Sequence, residues 1–189
     1  MLKNLVVFTG AMILAGSAAV LAEARPAADH TNGQIAVEKE AIELIEQLEE
    51  IGHDLRYHAD RLASFPSPGS IESRWTHYHH LEEIKALVND ELRPALKRLT
   101  DIQAQLPEWK QESIDRMLIS ARELAADANS AFVTKAANAN VPPAMNQEYK
   151  QLVTGMQAHA ESLVTTSDAA HTYAAAHLRA MEAGLNVNK

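Results

Sequence analysis

Three clusters of helix-breaking residues divide this chain into four long stretches, and this division constrains the fold more than any motif does. The breakers are residues 66–70 (PSPGS), 106–107 (LP) and 138–143 (NANVPP), and the stretches between them are rich in Ala, Leu, Glu and Gln, which favour helix. Short connections place successive helices antiparallel. The sequence therefore predicts an all-α protein, an antiparallel up-down-up-down four-helix bundle over residues 34–185.

Along each stretch, apolar residues recur at steps of three and four, the spacing of one buried helix face. In the first stretch the predicted face consists of Ala41, Leu44, Leu48, Ile51, Leu55, His58, Leu62 and Phe65. In the second it consists of Tyr78, Leu81, Lys85, Val88, Leu92, Ala95, Leu99, Ile102 and Leu106. The third has Ile114, Met117, Ala121, Leu124, Ala128 and Phe132, and the fourth includes Met145, Tyr149, Leu152, Met156, His159 and Leu163. Pro94 is expected to kink or split the second helix.

The first two dozen residues have the pattern of a secretory signal peptide. Lys3 provides a positive start, residues 5–21 form an apolar run, and Ala22-Glu23-Ala24 is a small-x-small cleavage sequence. We therefore expect residues 1–24 to be a signal peptide, residues 25–33 a disordered N-terminal stump, and the mature protein to be periplasmic or secreted. An uncleaved membrane anchor is the alternative. After cleavage no transmembrane segment is expected, since no second long apolar run follows.

Charge and composition exclude several classes of function. The chain has 25 acidic and 17 basic residues, a net charge of −8, which makes it a poor candidate for binding nucleic acid. It has no cysteine, so disulfides, covalently attached c-type haem and thiol chemistry are excluded. An exported protein of this kind depends on core packing for its stability.

The nine histidines are the unusual feature of the composition. His58 lies seven residues before Phe65 and His77 lies seven residues after Ser70, so both are expected about 10 Å from the first hairpin turn. His80 is an i,i+3 neighbour of His77. His58, His77 and His80 are thus candidate ligands for zinc or copper. The alternative, which we favour, is a hydrogen-bonding pair of partly buried histidines in a protein without a stoichiometric metal.

Other cofactor and catalytic sites have weaker support. Haem bound by Met or His from facing helices is a second cofactor alternative, with Met117 and His177 as examples of available ligands. The Glu50-x-x-His53 and Asp168-x-x-His171 pairs have the spacing of a di-iron site, but they fall at different depths of the bundle. No elbow presents a nucleophile and no glycine-rich phosphate loop occurs. We therefore expect a protein that is not an enzyme and carries no cofactor.

Two short segments resemble known families. Leu99-Thr100-Asp101-Ile102-Gln103 is similar to the LTxxQ motif of small periplasmic stress chaperones, which occurs twice in that family and once here. Residues 106–116 (LPEWKQESIDR) resemble a segment of the form LPxWxQxxIDR in uncharacterised exported bacterial helical-bundle proteins. The second resemblance implies an exported bundle and no particular activity.

These observations predict an exported, non-catalytic helical bundle that has a binding or structural role in the cell envelope. Its partner is expected to be another envelope protein rather than nucleic acid, and the sequence sets no oligomeric state. A metal- or haem-binding bundle and a periplasmic stress chaperone are the alternatives.

Overall fold

The computed structural model describes residues 27–64 and 71–183, which are helical with no strand among them. The helices are α1 (Ala27–Ala63), α2 (Ile71–Ala86), α3 (Arg93–Ile102), α4 (Glu108–Ala137) and α5 (Gln147–Glu182). A π-helical segment, Leu87–Leu92, joins α2 to α3 without a break, and short 3₁₀ turns occupy Gln103–Gln105 and Pro143–Met145. The described residues thus form four long helical runs, and for them the predicted all-α class is confirmed. The predicted signal peptide, residues 1–24, lies outside the described residues.

The start of α1 differs from the prediction. Residues 25–33 were expected to be disordered, whereas the described chain is helical from Ala27 onward. Ala27 and Ala28 carry the residue type with the highest helix propensity, and a helix that is already packed downstream extends at low cost. The helix therefore begins seven residues before the predicted start at Gln34.

Pro94 does not split the second run, because helical structure continues without a gap from Ile71 to Ile102. The wider π turn precedes Pro94, and the backbone N–H of Arg93 bonds to the Val88 carbonyl, five residues back. A proline in a regular α-helix clashes with the carbonyl four residues earlier and cannot donate a hydrogen bond. The π segment inserts one residue into the turn before Pro94 and so accommodates the ring within a continuous helix.

The core is a single apolar cluster to which all four runs contribute. Fully buried residues include Ile45, Leu48 and Leu55 of α1, Leu81, Ile84 and Leu99 of the second run, Ile114, Met117 and Leu124 of α4, and Tyr149, Met156 and Leu163 of α5. Two predicted core positions of α2 were wrong: Tyr78 is 51% exposed and Lys85 is exposed, while Leu81 is buried as predicted and His77 and Ile84 are buried as well. Met145 is also exposed.

Among the described helices, the most extensive contact is between α1 and α5. Lys39 pairs with Glu182 (2.9 Å), and the Gln157 amide donates to Asp60 (2.8 Å). A Cβ on buried Gly52 would lie 3.0 Å from a Val164 methyl, so glycine at this position permits the close approach of the two helices. α4 packs almost as extensively on the other side of α5.

A buried ion pair joins the beginning of α4 to α1. The Lys110 ammonium contacts the Glu38 carboxylate, and both side chains are about fully buried. The Lys110 ammonium also lies 5.2 Å from the ring centroid of Trp109, which packs edge-on against Tyr173 of α5. Among the described helices, none has an apolar stretch long enough to cross a membrane.

Candidate functional site

A groove separates the second helical run from α4, because α2 and α3 contact α4 far less extensively than α5 does. Three cavities of about 310, 210 and 250 Å³ lie along it. The first two share Val88, Arg93 and Ala125, and the second and third share Leu81 and Phe132. We call this continuous feature the cationic groove. It extends from Thr100 to Tyr78, about 30 Å along the helices at 1.5 Å per residue.

Apolar side chains form the floor of the cationic groove. The second run contributes Leu81, Val88, Leu92 and Leu96, and α4 contributes Leu118, Ala121, Ala125, Ala128 and Phe132. The three alanines on α4 are the reason for the depth of the groove, because a methyl group leaves space that a leucine would fill. Most of these side chains belong to the buried core, whereas Leu118, Ala125 and Phe132 are only partly buried and leave some apolar surface accessible along the groove.

The rim of the cationic groove carries five cations and no carboxylate. Lys85, Arg93, Lys97, Arg122 and Lys135 line the three cavities, and none of the lining residues is acidic. Lys97 also bonds to Asp101 (3.0 Å), and Lys85 lies over the Phe132 ring at 4.9 Å. In a chain with a net charge of −8, a run of cations beside an apolar floor is a local reversal of charge.

The π-helical segment forms part of this groove. Val88 and Leu92, two of its six residues, lie on the floor, and Arg93 follows it directly on the rim. Inserting one residue rotates the face of α3 relative to that of α2. The π segment thus sets which side chains of α3 face the groove.

The candidate metal ligands His58, His77 and His80 lie near one another but fall into two separate hydrogen-bonded pairs. His58 of α1 and His80 of α2 approach through their Nδ1 atoms at 2.8 Å, and the ring centroids are 5.1 Å apart. His80 is buried and His58 is half-buried. Burial lowers the pKa of both imidazoles, and for His58 the charges of Glu83 and Asp54 oppose that shift.

His77 pairs instead with α5. Its Nδ1 lies 2.9 Å from the Tyr149 hydroxyl, and both side chains are buried. The Asn146 side chain caps α5 by accepting from the Tyr149 N–H (3.1 Å), which fixes Tyr149 in the first turn. Burial, followed by the charges of Lys135 and His80, lowers the pKa of His77 to about 4, and burial raises the pKa of Tyr149.

The structure therefore separates the three histidines that sequence reasoning grouped. The sequence predicted that His58 lies beside His77, because both are equally far from the first turn. The rotation of α2 about its axis instead brings His80 to His58 and His77 to Tyr149. Within residues 27–64 and 71–183, no three His, Cys, Asp or Glu side chains form a group that holds a metal ion. Asp127 of α4 lies 3.5 Å from His159.

His159 lies between two carboxylates of α4. Its Nδ1 is 3.1 Å from Glu123 and its Nε2 is 3.5 Å from Asp127. A Cβ on Gly155 would overlap the Asp127 carboxylate, so glycine makes room for this contact. The cluster joins α4 to α5, and because the two carboxylates occupy different ring nitrogens they do not converge on one ligand position.

The residues that carry the two family resemblances have structural roles. Leu99 is fully buried, the Thr100 hydroxyl donates to the Leu96 carbonyl (2.8 Å), and Gln103 donates to the Gln111 carbonyl (3.1 Å) and Asp115 (2.9 Å). The two Gln103 bonds link the end of the second run to α4, whereas the Thr100 bond lies within α3.

Sequence reasoning missed the cationic groove. Its available signal was the four-residue spacing of Arg93 and Lys97, which places both on one side of a helix. That Arg122 faces them from α4 follows only from the packing.

No protein-family model matches this chain, and neither a curated protein nor a solved structure matches it.

Proposed function

We propose that this protein is an exported, non-catalytic helical bundle that binds another envelope protein through the cationic groove. The observation that carries the proposal is the apolar floor flanked by five cations in an otherwise acidic chain. The predicted signal peptide supports export.

We further propose the up-down-up-down arrangement of the four runs. It is supported by the side-chain pairs between α1 and α5. As the residue numbers increase along α1, those of the contacting residues in α5 decrease, so the two helices are antiparallel. These pairs are Lys39 with Glu182, Glu49 with His171, and Asp60 with Gln157. In this arrangement the second run and α4 lie side by side, and the cationic groove follows their shared length.

The occupant that fits the groove is an amphipathic helix with acidic residues on its polar face. Its apolar residues at i, i+3, i+4 and i+7 would cover the alanines and leucines of the floor. Its carboxylates would meet Arg93, Lys97 and Arg122, which present charge complementary to it. A groove of about 30 Å accommodates about 20 helical residues.

The shape of the groove favours a protein segment over a small ligand. Sites for small molecules enclose most of the ligand surface. Here three cavities lie in a row between two helices and open to solvent. A rod-shaped partner buries the whole row at once, whereas a compact ligand would occupy one cavity and leave the rest of the floor exposed.

Fluorescence anisotropy with two labelled peptides tests this proposal. Both have about 20 residues and the same leucine face, and one carries Glu where the other carries Lys. We expect the acidic peptide to bind and the basic peptide not to bind. Arg93→Glu with Arg122→Glu should weaken binding of the acidic peptide at least about tenfold.

The matched control is Arg116→Glu with Arg179→Glu, which changes the net charge equally at two exposed arginines outside the groove. Ala125→Leu is a second test, because it fills the floor without adding charge. Equal binding of both peptides, or equal losses from the two double variants, would contradict the proposal. Displacement of the acidic peptide by sub-stoichiometric palmitate would identify the groove as a site for anionic amphiphiles instead.

A further inference from the structure

The contact between His58 and His80 has a geometry that suits more than a hydrogen bond. The two Nδ1 atoms are 2.8 Å apart, and the rings are inclined at 58°. They belong to different helices, so the contact is set by packing rather than by a local turn. His58 remains half-exposed, and an ion can therefore reach the pair from solvent.

We propose that His58 and His80 form a reversible two-imidazole site for a divalent transition-metal ion, with copper(II) as the preferred occupant. When two nitrogens each lie about 2.0 Å from one metal ion and the N–metal–N angle is a right angle, the nitrogens are about 2.8 Å apart. This is the separation of neighbouring ligands in a square-planar site. Imidazole ligands suit copper, nickel and zinc, and copper binds most tightly in the series. The inference is independent of the groove.

Binding at this pair requires no net loss of a proton. In the hydrogen-bonded pair one Nδ1 carries the proton and the other accepts it. When the ion binds, that proton moves to Nε2 of the same ring, and both Nδ1 lone pairs face the metal.

The surroundings of the pair provide compensating charge. Glu83 and Asp54 act on His58, and Glu83 acts on His80, while Arg61 and His79 oppose them. His79 lies 3.5 Å from Glu83, and its ring centroid is 5.3 Å from that of His80. Tyr57 covers the pair from one side, with its ring 5.2 Å from His58. Solvent completes the coordination, so the ion exchanges freely.

Copper titration of the protein, prepared without a histidine tag, tests the site. We expect one equivalent of Cu²⁺ to bind first, with nitrogen hyperfine splitting from two imidazoles in the electron paramagnetic resonance spectrum, and to raise Tm because the ion links α1 to α2 in the folded state. Loss of an outer-sphere partner typically lowers metal affinity roughly 10–100-fold. The double variant His58→Asn with His80→Asn removes both direct ligands and should lower the affinity for Cu²⁺ by more than that.

His53→Asn is the matched control, since His53 is an exposed histidine of α1 away from the pair. His58→Asn alone covers the case in which the double variant unfolds, because His58 is the less buried partner. Retention of the first Cu²⁺ equivalent in the His58 variant, or its loss in the His53 variant, would overturn the assignment. An unshifted Tm with copper present would overturn it as well.

Discussion

Leu48 is fully buried at the middle of α1, and Glu46, two residues earlier, is exposed. Leu48→Ala should lower the free energy of unfolding by about 2–5 kcal/mol, because the loss of apolar contacts and the cavity left behind both destabilise the folded state. Glu46→Ala should change it by less than about 0.5 kcal/mol. Urea denaturation of both variants measures the difference. Similar small losses would show that α1 packs with a different face inward.

His77 makes stability depend on pH. In the unfolded chain it takes up a proton near its ordinary pKa of 6.5, and in the folded protein near 4. Between these values the unfolded state binds more protons, so stability present above pH 6.5 is lost as pH falls toward 4. The loss from this residue approaches about 3 kcal/mol, since each pKa unit corresponds to about 1.4 kcal/mol.

His77→Gln isolates this effect, because glutamine still bonds to the Tyr149 hydroxyl but does not titrate. We expect the variant to lose less stability than the wild type between pH 7 and pH 4 when melts are compared at both. His53→Gln, at an exposed position, should retain the wild-type dependence. Parallel curves for the His77 variant and the wild type would mean that other groups cause the acid sensitivity.

At the scale of the helices, the sequence predicted where the runs lie but not every rotation. The breakers at residues 66–70, 106–107 and 138–143 correspond to the ends of the helical runs, since proline and adjacent turn residues act locally. In α2, steps of three and four fit two sets of core positions, one containing Tyr78 and Lys85 and the other containing His77 and Ile84. The first set was predicted, and the second is buried. Apolar periodicity does not distinguish them when histidine is the buried residue.

Among the predicted core positions of the second run, only Tyr78 and Lys85 are exposed, and both precede the π segment. The buried positions of this run proceed from Leu81 through Ile84, Val88 and Leu92, with two successive steps of four across the segment. A regular α-helix would drift away from the core over those steps, whereas one inserted residue restores the register. Pro94 was a visible signal of irregular geometry, but the type of irregularity depends on packing.

At the scale of the whole molecule, the overall composition did not predict the candidate site. A net charge of −8 describes the average surface, yet the cations of the cationic groove come from two separate runs that only the fold brings together. The His58–His80 pair has the same origin, because its existence depends on the rotation of α2 relative to α1. Local rules therefore predicted the helices, and packing determined the sites.

The Glu38–Lys110 pair tests how the molecule tolerates charge in its core. It joins α1 to the beginning of α4, and both side chains are buried. Lys110→Met alone should cost about 3–5 kcal/mol, because it leaves the Glu38 carboxylate buried without a counter-charge. Glu38→Leu with Lys110→Met should be close to neutral or stabilising, since desolvation of two charges offsets most of their attraction. A double-mutant cycle by urea denaturation gives the coupling energy. A single-variant cost below about 1 kcal/mol, the size typical of a solvent-exposed ion pair, would contradict this prediction.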